Sequence, residues 1–441
     1  MNIGTITGNT IGSTTGTGSI IVTNSTSNAT SYGIYNRSSS TVGIQNNKIG
    51  SITTVGSATF AHDFNGIYKS ATAGTTTISN NVIGSRTEAN SINASSVATD
   101  NAQSIYAIYS EGAGDINITG NSIANLTNGS TSPNTYGGIY GIVTYDGTNT
   151  IANNTIRDLT VASNNSGMAA ISSVIGISQV SSLEGQTISG NSIYNLSNSY
   201  PAFEGSVIGL YYSGGTDGVN TVSNNFIHSL SVAGTSVYPA AMYGVLLQSG
   251  NSTYSNNIIS LGGNSKTDIF GIYENCDATN ITSLFYNTVY IGGVPTTESY
   301  SSWAFFSVAN TNTRIIKNNI FDNARSNSGT AFGAHYAAYF DYGTSTDLTL
   351  DYNDYYAPGA GGVLGYYNSA DVTTVPLITG QDAHSKNIDP GFASAGGTLA
   401  ANYLPSGASL VAITGTGITT DYAGIIIRST TNPSMGAWEY A

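Results

Sequence analysis

A pair of adjacent asparagines set between apolar residues recurs along this chain, and this repeat limits the possible folds more than any other feature. The stretch TISNNVIGS, residues 77–85, has near-copies in IQNNKIGSI, IANNTIRDL, VSNNFIHSL, YSNNIISLG and IKNNIFDNA. Units aligned on the second position of the pair follow one another every 30 to 40 residues in a chain of 441 residues. The reference residues of these 11 units are Asn9, Asn47, Asn81, Asn121, Asn154, Asn191, Asn225, Asn257, Asn287, Asn319 and Asn353. Such a repeat predicts coils that stack on their neighbours rather than a series of independent globular domains.

The residues around each reference asparagine alternate between apolar and hydroxyl side chains. Three positions before it stands an apolar residue in every unit, from Ile6 in the first to Leu350 in the last, and two positions after it stands another, such as Ile83. Thr or Ser occupies many of the intervening positions, such as Thr77 and Ser79. An alternation with a period of two predicts short strands with isoleucine inward and hydroxyl groups outward.

A second column of similar strings precedes each asparagine pair from the second unit on. It begins YGIYN and continues as NGIYK, YAIYS, YGIVT, IGISQ, IGLYY, YGVLL, FGIYE, WAFFS and AAYFD. Its small residues are Gly33, Gly66, Ala107, Gly141, Gly176, Gly209, Gly244, Gly271, Ala304 and Ala338. Each unit therefore has a strand at GIY, a strand before the asparagine and a short strand after it. Three short strands per repeat predict an all-β fold, a parallel β-helix of about eleven coils.

The asparagine pair itself has a structural explanation. Asn tolerates the left-handed backbone conformation of a sharp bend better than most residues, and Gly takes the same place at Gly8, Gly120 and Gly190. In stacked coils, equivalent asparagines lie about 4.8 Å apart, so their amides can hydrogen-bond along the axis. We therefore predict that the 11 reference asparagines form a ladder, and we assign the repeated pair no chemical activity.

Composition excludes several classes of function. A formal net charge of −13 and the absence of any Lys/Arg cluster argue against nucleic-acid binding. No apolar run approaches the length of a membrane span, so we predict a chain that does not span the membrane. The single cysteine, Cys276, excludes an internal disulfide framework and is predicted to fill apolar space. The start MNIGTITGNTIGS lacks the regions of a signal peptide, which is expected of a mature product or a fragment.

The last part of the chain departs from the repeat. We predict β-helix repeats over residues 1–360 and a C-terminal capping segment over residues 361–441, where GQDAHSKNIDPGF, LPSGASL and TTDYAGIIIRSTTNPSMGAWEY follow one another. This order of motifs resembles the tail of secreted right-handed parallel β-helix proteins of the pectate-lyase-like superfamily, of the type found on the surface of Bacteroidetes bacteria. Ala408 with Ser409, and Ser434 with Met435, depart from the usual pattern. The resemblance implies a right-handed β-helix that is secreted or exposed on the cell surface.

The resemblance also raises the alternative of a polysaccharide lyase or glycoside hydrolase. Such lyases hold calcium between aspartates and use Arg or Lys as the base, while the hydrolases use facing carboxylates. The acidic residues after the GIY strands keep no common register and have no accompanying Lys or Arg: Glu111, Asp115, Asp146, Asp217, Glu274, Asp277, Asp341 and Asp347. We predict solvated acidic turns, with no catalytic residue, no metal site and no cofactor. Calcium, the ion implied by the resemblance, has no supporting cluster in the sequence.

Aromatic residues form the remaining candidate surface. Two positions after the small residue stand Tyr35, Tyr68, Tyr109, Tyr211, Tyr273, Phe306 and Phe340. These rings either stack on the outside of the sheet or fill the core while the neighbouring isoleucines face outward. An exposed row of rings suits the binding of sugars, and the alternative is a row that only shields the sheet. Rows of Thr and Ser beside the asparagines could also bind ice, although Gln45, Lys317 and Asp351 interrupt them.

The even repetition favours a non-enzymatic function, because enzymes concentrate their chemistry on a few coils. The sequence predicts a secreted or cell-surface structural or adhesive β-helix that contacts a polysaccharide or a cell-surface glycan along an outer strand face. The string GTITGNTIGS enters a coil directly at the N-terminus. We therefore expect that end to continue into further coils or to self-associate end to end.

Overall fold

The computed structural model describes residues 1–95, 100–234, 240–277, 279–297, 300–308, 311–341, 347–406 and 409–439. These residues form two compact units. Unit 1 comprises Met1–Ser213 and Leu230–Met242, and unit 2 comprises Gly214–Ser229 and Tyr243–Ala441. Residues 407–408 and 440–441 of the predicted capping segment, including Ala408, lie outside the described residues. Each unit is a parallel β-solenoid, which confirms the predicted all-β parallel β-helix.

Three parallel sheets build unit 1, one for each predicted strand of the repeat. The GIY sheet contains Ala29–Asn36, His62–Lys69, Ser104–Ser110, Gly138–Thr144, Val174–Gln179 and Ser206–Ser213. The TIS sheet, before the asparagine, contains Asn2–Ile3, Val42–Gln45, Thr76–Ser79, Ile116–Thr119, Asn149–Ala152 and Thr187–Ser189. The post-asparagine sheet contains Thr10–Gly12, Lys48–Gly50, Val82–Gly84, Ser122–Asn128, Thr155–Val161 and Ser192–Asn198, with Ile20–Thr23, Ile52–Val55, Ile92–Ala94 and Ser231–Val232 beside them. A single 3₁₀ turn, Ala169–Ile171, is present among the described residues of this unit.

Unit 2 repeats the same three sheets. Its GIY sheet contains Thr267–Glu274, Ser302–Ser307, His335–Phe340 and Gly362–Tyr367, and the strand Ala240–Ser249 enters it from residue 243 on. The TIS sheet contains Asn220–Ser223, Ser252–Ser255, Ile281–Phe285, Thr313–Lys317 and Leu348–Asp351. The post-asparagine sheet contains Phe226–His228, Ile258–Gly262, Thr288–Gly292, Ile320–Asn323 and Asp354–Tyr356. The repeat continues past residue 360, because Gly362–Tyr367 pairs in parallel with the preceding GIY strand before Ala370–Val372 turns back antiparallel. The 3₁₀ turn Ala400–Tyr403 follows.

In-register pairing places equivalent positions of successive coils on top of each other. Ile44 pairs with Ile78, Ile78 with Ile118, and Ile118 with Ile151, and all four side chains are fully buried. The predicted inward position of isoleucine is therefore confirmed for these coils. The first unit is an exception, because Ile3 rather than Ile6 pairs with Ile44, and Ile6 lies in a turn with 91% of its surface exposed. The prediction that Ile6 occupies the core position was wrong, since the turn before Asn9 is longer than in later coils.

The two asparagines of each pair have different tasks. The first one adopts the left-handed conformation, with φ of 60° at Asn46, 56° at Asn80 and 56° at Asn153. Gly8, Gly120 and Gly190 take this position in their coils, as predicted. In two coils the left-handed residue is neither Asn nor Gly but a tyrosine, Tyr286 or Tyr352. The second asparagine forms the ladder and is buried in every coil except the first, so the bend and the ladder depend on different side chains.

The predicted asparagine ladder is present in both units. In unit 1 the Nδ2 group of each reference asparagine donates to Oδ1 of the next one over 2.8 to 3.0 Å, from Asn9 to Asn191. In unit 2 the same bond measures 2.9 Å at each step from Asn225 to Asn353. Ser385 ends this second ladder, because its Oγ accepts the backbone N–H of Asn353 at 2.9 Å. Each amide is therefore satisfied within the stack, as a buried polar group requires.

The terminal segment, residues 381–439, covers unit 2 in two ways. Its first part pairs with the last coil: Lys386 N–H donates to the carbonyl of Asn353, and Tyr355 N–H donates to the carbonyl of Lys386. This part is placed as a cap. A capping segment was expected to lie across the last coil over its whole length. The remainder of this segment instead runs back along the side of unit 2. There Leu410 and Met435 pack on Ile320, and their cluster includes Tyr286.

Left-handed asparagines anchor this lateral part of the terminal segment. Asn318 donates to the carbonyl of Ile413 at 2.8 Å and accepts its N–H at 3.1 Å. Asn256 donates to the carbonyl of Thr420 and accepts from Arg428 at 2.7 Å. The buried guanidinium of Arg428 also pairs with Glu439 at 3.1 Å and lies 3.7 Å from the centre of the Tyr286 ring. The asparagines that form the bends of unit 2 therefore also bind the lateral part of the terminal segment.

Candidate functional site

The outer face of the GIY sheet carries the aromatic residues. The isoleucines that follow the small residues, such as Ile67, Ile108 and Ile142, are fully buried in the core. Because side chains alternate along a strand, Tyr68 and Tyr109 project from the opposite face. Of the two arrangements left open by the sequence, the one with the tyrosines outside is correct.

Unit 1 carries a continuous group of rings, here called the tyrosine cluster. Its members are Tyr32, Tyr35, Tyr68, Tyr106, Tyr109, Tyr140 and Tyr145. Neighbouring rings stack with their centres 5.0 Å apart between Tyr32 and Tyr35, and 4.6 Å apart between Tyr106 and Tyr109. Such spacing is favourable for aromatic pairs, so the cluster supports itself as well as offering ring surface.

The five predicted glycan-binding tyrosines differ in accessibility. Tyr35 has 44% of its surface exposed, and Tyr109 and Tyr273 are partly exposed. Tyr68 and Tyr211 retain only 8% and 5%. Tyr68 lies between the rings of Tyr35 and Tyr109, so stacking within the cluster removes most of its surface from solvent. The structure therefore leaves Tyr35, Tyr109 and Tyr273 as the predicted residues that a ligand can reach directly.

Unit 2 carries two parallel columns of rings. The first aromatic column consists of Tyr243, Phe270, Trp303 and Tyr336, and the second aromatic column consists of Tyr273, Phe306, Tyr339 and Tyr366. Within a column the rings are nearly parallel, with interplanar angles from 1° to 10°. Between the columns they meet edge to face, for example at 89° between Phe270 and Tyr273. The two columns form one ridged aromatic surface along five coils.

The alignment of the repeats assigned one outward position to the wrong residue, Phe340 instead of Tyr339. Trp303 pairs with Tyr336 and Phe306 with Tyr339, so Ala337 rather than Ala338 is the residue equivalent to Ala304. Phe340 accordingly points into the core and is buried, while Tyr339 stacks on Phe306 at 4.7 Å. The first aromatic column was missed altogether, although its signal is visible as the aromatic residue before the small one in YGVLL, FGIYE and WAFFS.

The acidic residues after the GIY strands do not share one environment. Glu111 is exposed beside the tyrosine cluster, and its carboxylate accepts hydrogen bonds from the hydroxyl groups of Tyr68 and Tyr109. Glu274 was predicted to be solvated and is fully buried instead, where it accepts from Ser307 and Asn312 at 2.6 Å each. Glu274 faces inward because it follows the outward Tyr273, and alternation places it inside the coil.

Two buried carboxyl groups of unit 2 were not found by sequence reasoning. Asp322 and Asp354 lie on the post-asparagine sheet under the terminal segment, and each has one carboxyl oxygen without a hydrogen-bond partner. Burial and the neighbouring Asp354 raise the pKa of Asp322 to about 8. Burial also raises the pKa of Asp354 to about 7, with a further contribution from Asp389, while the N–H of Ile388 opposes the shift. No described basic residue forms an ion pair with either group.

These carboxyl groups should make unit 2 less stable at alkaline pH. A carboxyl whose pKa is higher in the folded state than in the unfolded state stabilises the fold below pH 4 and loses that contribution as the pH rises through its folded pKa. Between pH 5 and pH 8.5 the free energy of unfolding should fall by about 1.4 kcal/mol per pH unit for each carboxyl that is protonated in the folded state and ionised in the unfolded state. Chemical denaturation of the wild type and of Asp322→Asn and Asp354→Asn measures this. Each substitution should flatten the pH dependence, and a slope unchanged by both would contradict the assignment.

The single cysteine, Cys276, is buried. Among the described residues no group of three or more His, Cys, Asp or Glu side chains is placed to hold a metal ion. The same part of the chain contains no helix long and apolar enough to cross a membrane.

No family model matches this chain, and comparisons with curated proteins and with solved structures likewise return no match. The parallel β-helix is therefore the part of the sequence resemblance that the structure supports. The superfamily and the bacterial group remain predictions from the terminal motifs.

Proposed function

We propose that this protein is a non-enzymatic structural or adhesive β-helix, secreted or exposed on a cell surface, which contacts polysaccharides or cell-surface glycans along the outer face of its GIY sheets. The observation that carries the proposal is the pair of aromatic columns in unit 2. Sugar rings present flat faces of C–H groups, and these stack on aromatic side chains. All rings of the two columns except the buried Phe270 are partly exposed, and their repetition at the spacing of the coils offers such contacts to an extended chain.

The buried carboxyl groups of unit 2 do not face its aromatic columns, which supports binding rather than catalysis at that surface. General acid and base catalysis in glycan cleavage needs carboxyl groups that reach the glycosidic bond. Glu274 is held inside the coil by Ser307 and Asn312, and Asp322 and Asp354 lie beneath the terminal segment. None of these three belongs to the outer face of the GIY sheet. Secretion or surface exposure is proposed from the resemblance of the terminal motifs.

A glycan array with matched variants tests the proposal. Trp303→Ala removes the largest ring of the first aromatic column and should weaken glycan binding roughly tenfold, the loss typical of a central aromatic contact. Phe332→Ala is the control, because Phe332 is 75% exposed in unit 2 and belongs to neither column. Equal binding by the two variants would contradict the aromatic surface. Release of reducing ends or unsaturated products from acidic polysaccharides would favour the lyase or hydrolase instead.

A further inference from the structure

A shallow depression lies at the edge of the tyrosine cluster in unit 1, with a volume of about 430 Å³. Its lining residues are Ser70, Thr72, Tyr109, Glu111, Gly112 and Tyr145. The rings of Tyr109 and Tyr145 stand at 73° to each other with their centres 5.8 Å apart, so they form two walls of a corner. Tyr145 is 39% exposed, which leaves part of its ring open to solvent. The corner is therefore accessible without rearrangement of the sheet.

A carboxylate of fixed position completes this corner. Oε2 of Glu111 accepts the hydroxyl of Tyr109 at 3.1 Å, and Oε1 accepts the hydroxyl of Tyr68. The two phenols therefore orient the carboxylate, while its exposed surface remains free to meet a ligand. Among the described residues no Lys, Arg or His forms an ion pair with Glu111. The carboxylate therefore has no basic ion-pair partner in that part of the chain, while the buried ammonium of Lys69 donates to the carbonyl of Gly112, another lining residue, at 2.8 Å.

The electrostatics of the depression favour a positive ligand. Burial raises the pKa of Tyr145, and the nearby charge of Glu111 raises it further, which indicates negative potential at the rings. Ring faces are themselves negative, and two faces with a carboxylate are the recurrent means of binding ammonium groups. The tyrosine cluster already makes one contact of this kind, since the guanidinium of Arg37 lies 5.8 Å from the centre of the Tyr35 ring. The net charge of −13 adds long-range attraction for cations.

We propose that the depression formed by Tyr109, Tyr145 and Glu111 binds an alkylammonium group. The two rings contact the C–H surface beside the charged nitrogen of the ligand, and the carboxylate of Glu111 pairs with its charge. Two sources have this chemistry, the amino group of a glucosamine-type sugar and a choline-type head group. This site goes beyond the proposed function, because it requires no glycan bound along the aromatic columns.

Calorimetric titration of the full chain at low salt tests the site with defined probes. Choline and tetramethylammonium should bind, whereas 3,3-dimethyl-1-butanol, the uncharged isostere of choline, should bind at least about tenfold more weakly. The proposal would be overturned if neither choline nor glucosamine bound more tightly than its neutral counterpart. A parallel titration with glucosamine and N-acetylglucosamine distinguishes the sources, since a sugar-specific site prefers the free amine of glucosamine to choline. In both titrations the cation must bind with higher affinity than its neutral counterpart.

Variants locate the binding within the molecule. Glu111→Gln and Tyr145→Ala should each lower the affinity for the preferred cation at least about tenfold, whereas Tyr145→Phe should retain it because the ring face is kept. Tyr136→Ala is the control, since Tyr136 is 68% exposed in the same unit and does not line the depression. If Tyr145→Ala binds like the wild type, the site is elsewhere and the proposal fails. Loss of glycan-array binding by Trp303→Ala does not bear on this result, so failure of the proposed function and failure of this site are distinguishable.

Discussion

Replacement of Asn154 by alanine should lower the free energy of unfolding by about 3 kcal/mol or more. Asn154 is buried in the middle of the ladder of unit 1. Its Nδ2 donates to the carbonyl of Ile118 and to Oδ1 of Asn191, and its Oδ1 accepts both the N–H and the Nδ2 of Asn121. Alanine replaces none of these bonds, and it leaves Ile118 and Asn121 with buried polar groups that water cannot reach. The cost of such unsatisfied groups exceeds the net value of the bonds themselves.

The neighbouring Asn153 should respond in a different way. It is exposed, and its φ of 56° lies in the left-handed region. Asn153→Ala should cost about 1 kcal/mol because alanine resists this conformation, whereas Asn153→Gly should change stability by less than about 0.5 kcal/mol. At Asn154, glycine should be as harmful as alanine. Thermal and chemical unfolding of the four variants checks this pattern, with Thr150→Ala as a surface control. Rescue by glycine at both positions would mean that the ladder contributes little and that only the bend matters.

The repeat explains why the fold could be predicted from the sequence. Apolar residues such as Ile78 and Ile118 follow a period of two, and the same local pattern returns in every coil, so strand, face and stacking are all encoded within a few residues. The pair of asparagines was recognised as structural for the same reason. The ladder was assigned to the second asparagine of each pair, and Gly8, Gly120 and Gly190 marked the first position as the bend. In the structure, φ and burial distinguish Asn153 from Asn154.

The parts of the candidate site that were missed depend on contacts between distant segments. Alternation marks Asp322 as outward, because the adjacent Phe321 fills the core. Outward positions are normally solvated, but here the terminal segment packs over them, and nothing near Asp322 in the sequence indicates this. Glu111 was found among the acidic turns, yet its partner Tyr145 belongs to the next coil and meets Tyr109 only in the folded chain. The sequence therefore supplied Tyr109 and Glu111, but neither Tyr145 nor the arrangement of the three residues.

The largest effect is expected from truncation of the terminal segment, because it covers two different kinds of surface. Residues 381–388 pair with the last coil, where Lys386 bonds to the backbone of Asn353 and Tyr355. Their removal exposes the unpaired edges of Leu348–Asp351 and Asp354–Tyr356, and such edges pair with other chains. Residues 389–439 cover the side of unit 2, where Tyr403 packs in one cluster with Phe226 and Ile258. Their removal exposes an apolar patch but no strand edge of the last coil.

Two truncations separate these effects. A chain that ends at Gly380 should form large aggregates, because an open strand edge can add further molecules without limit. A chain that ends at Ile388 retains the pairing of Lys386 and should bind a hydrophobic dye. It should form only small oligomers, because association stops once the exposed apolar patch is covered by another molecule. Light scattering over a range of protein concentrations distinguishes the two. If the chain ending at Gly380 stays monomeric, residues 381–388 are an appendage rather than a cap. If both truncated chains aggregate alike, the apolar side of unit 2 rather than its strand edge drives association, and the lateral part of the terminal segment is what keeps the solenoid soluble.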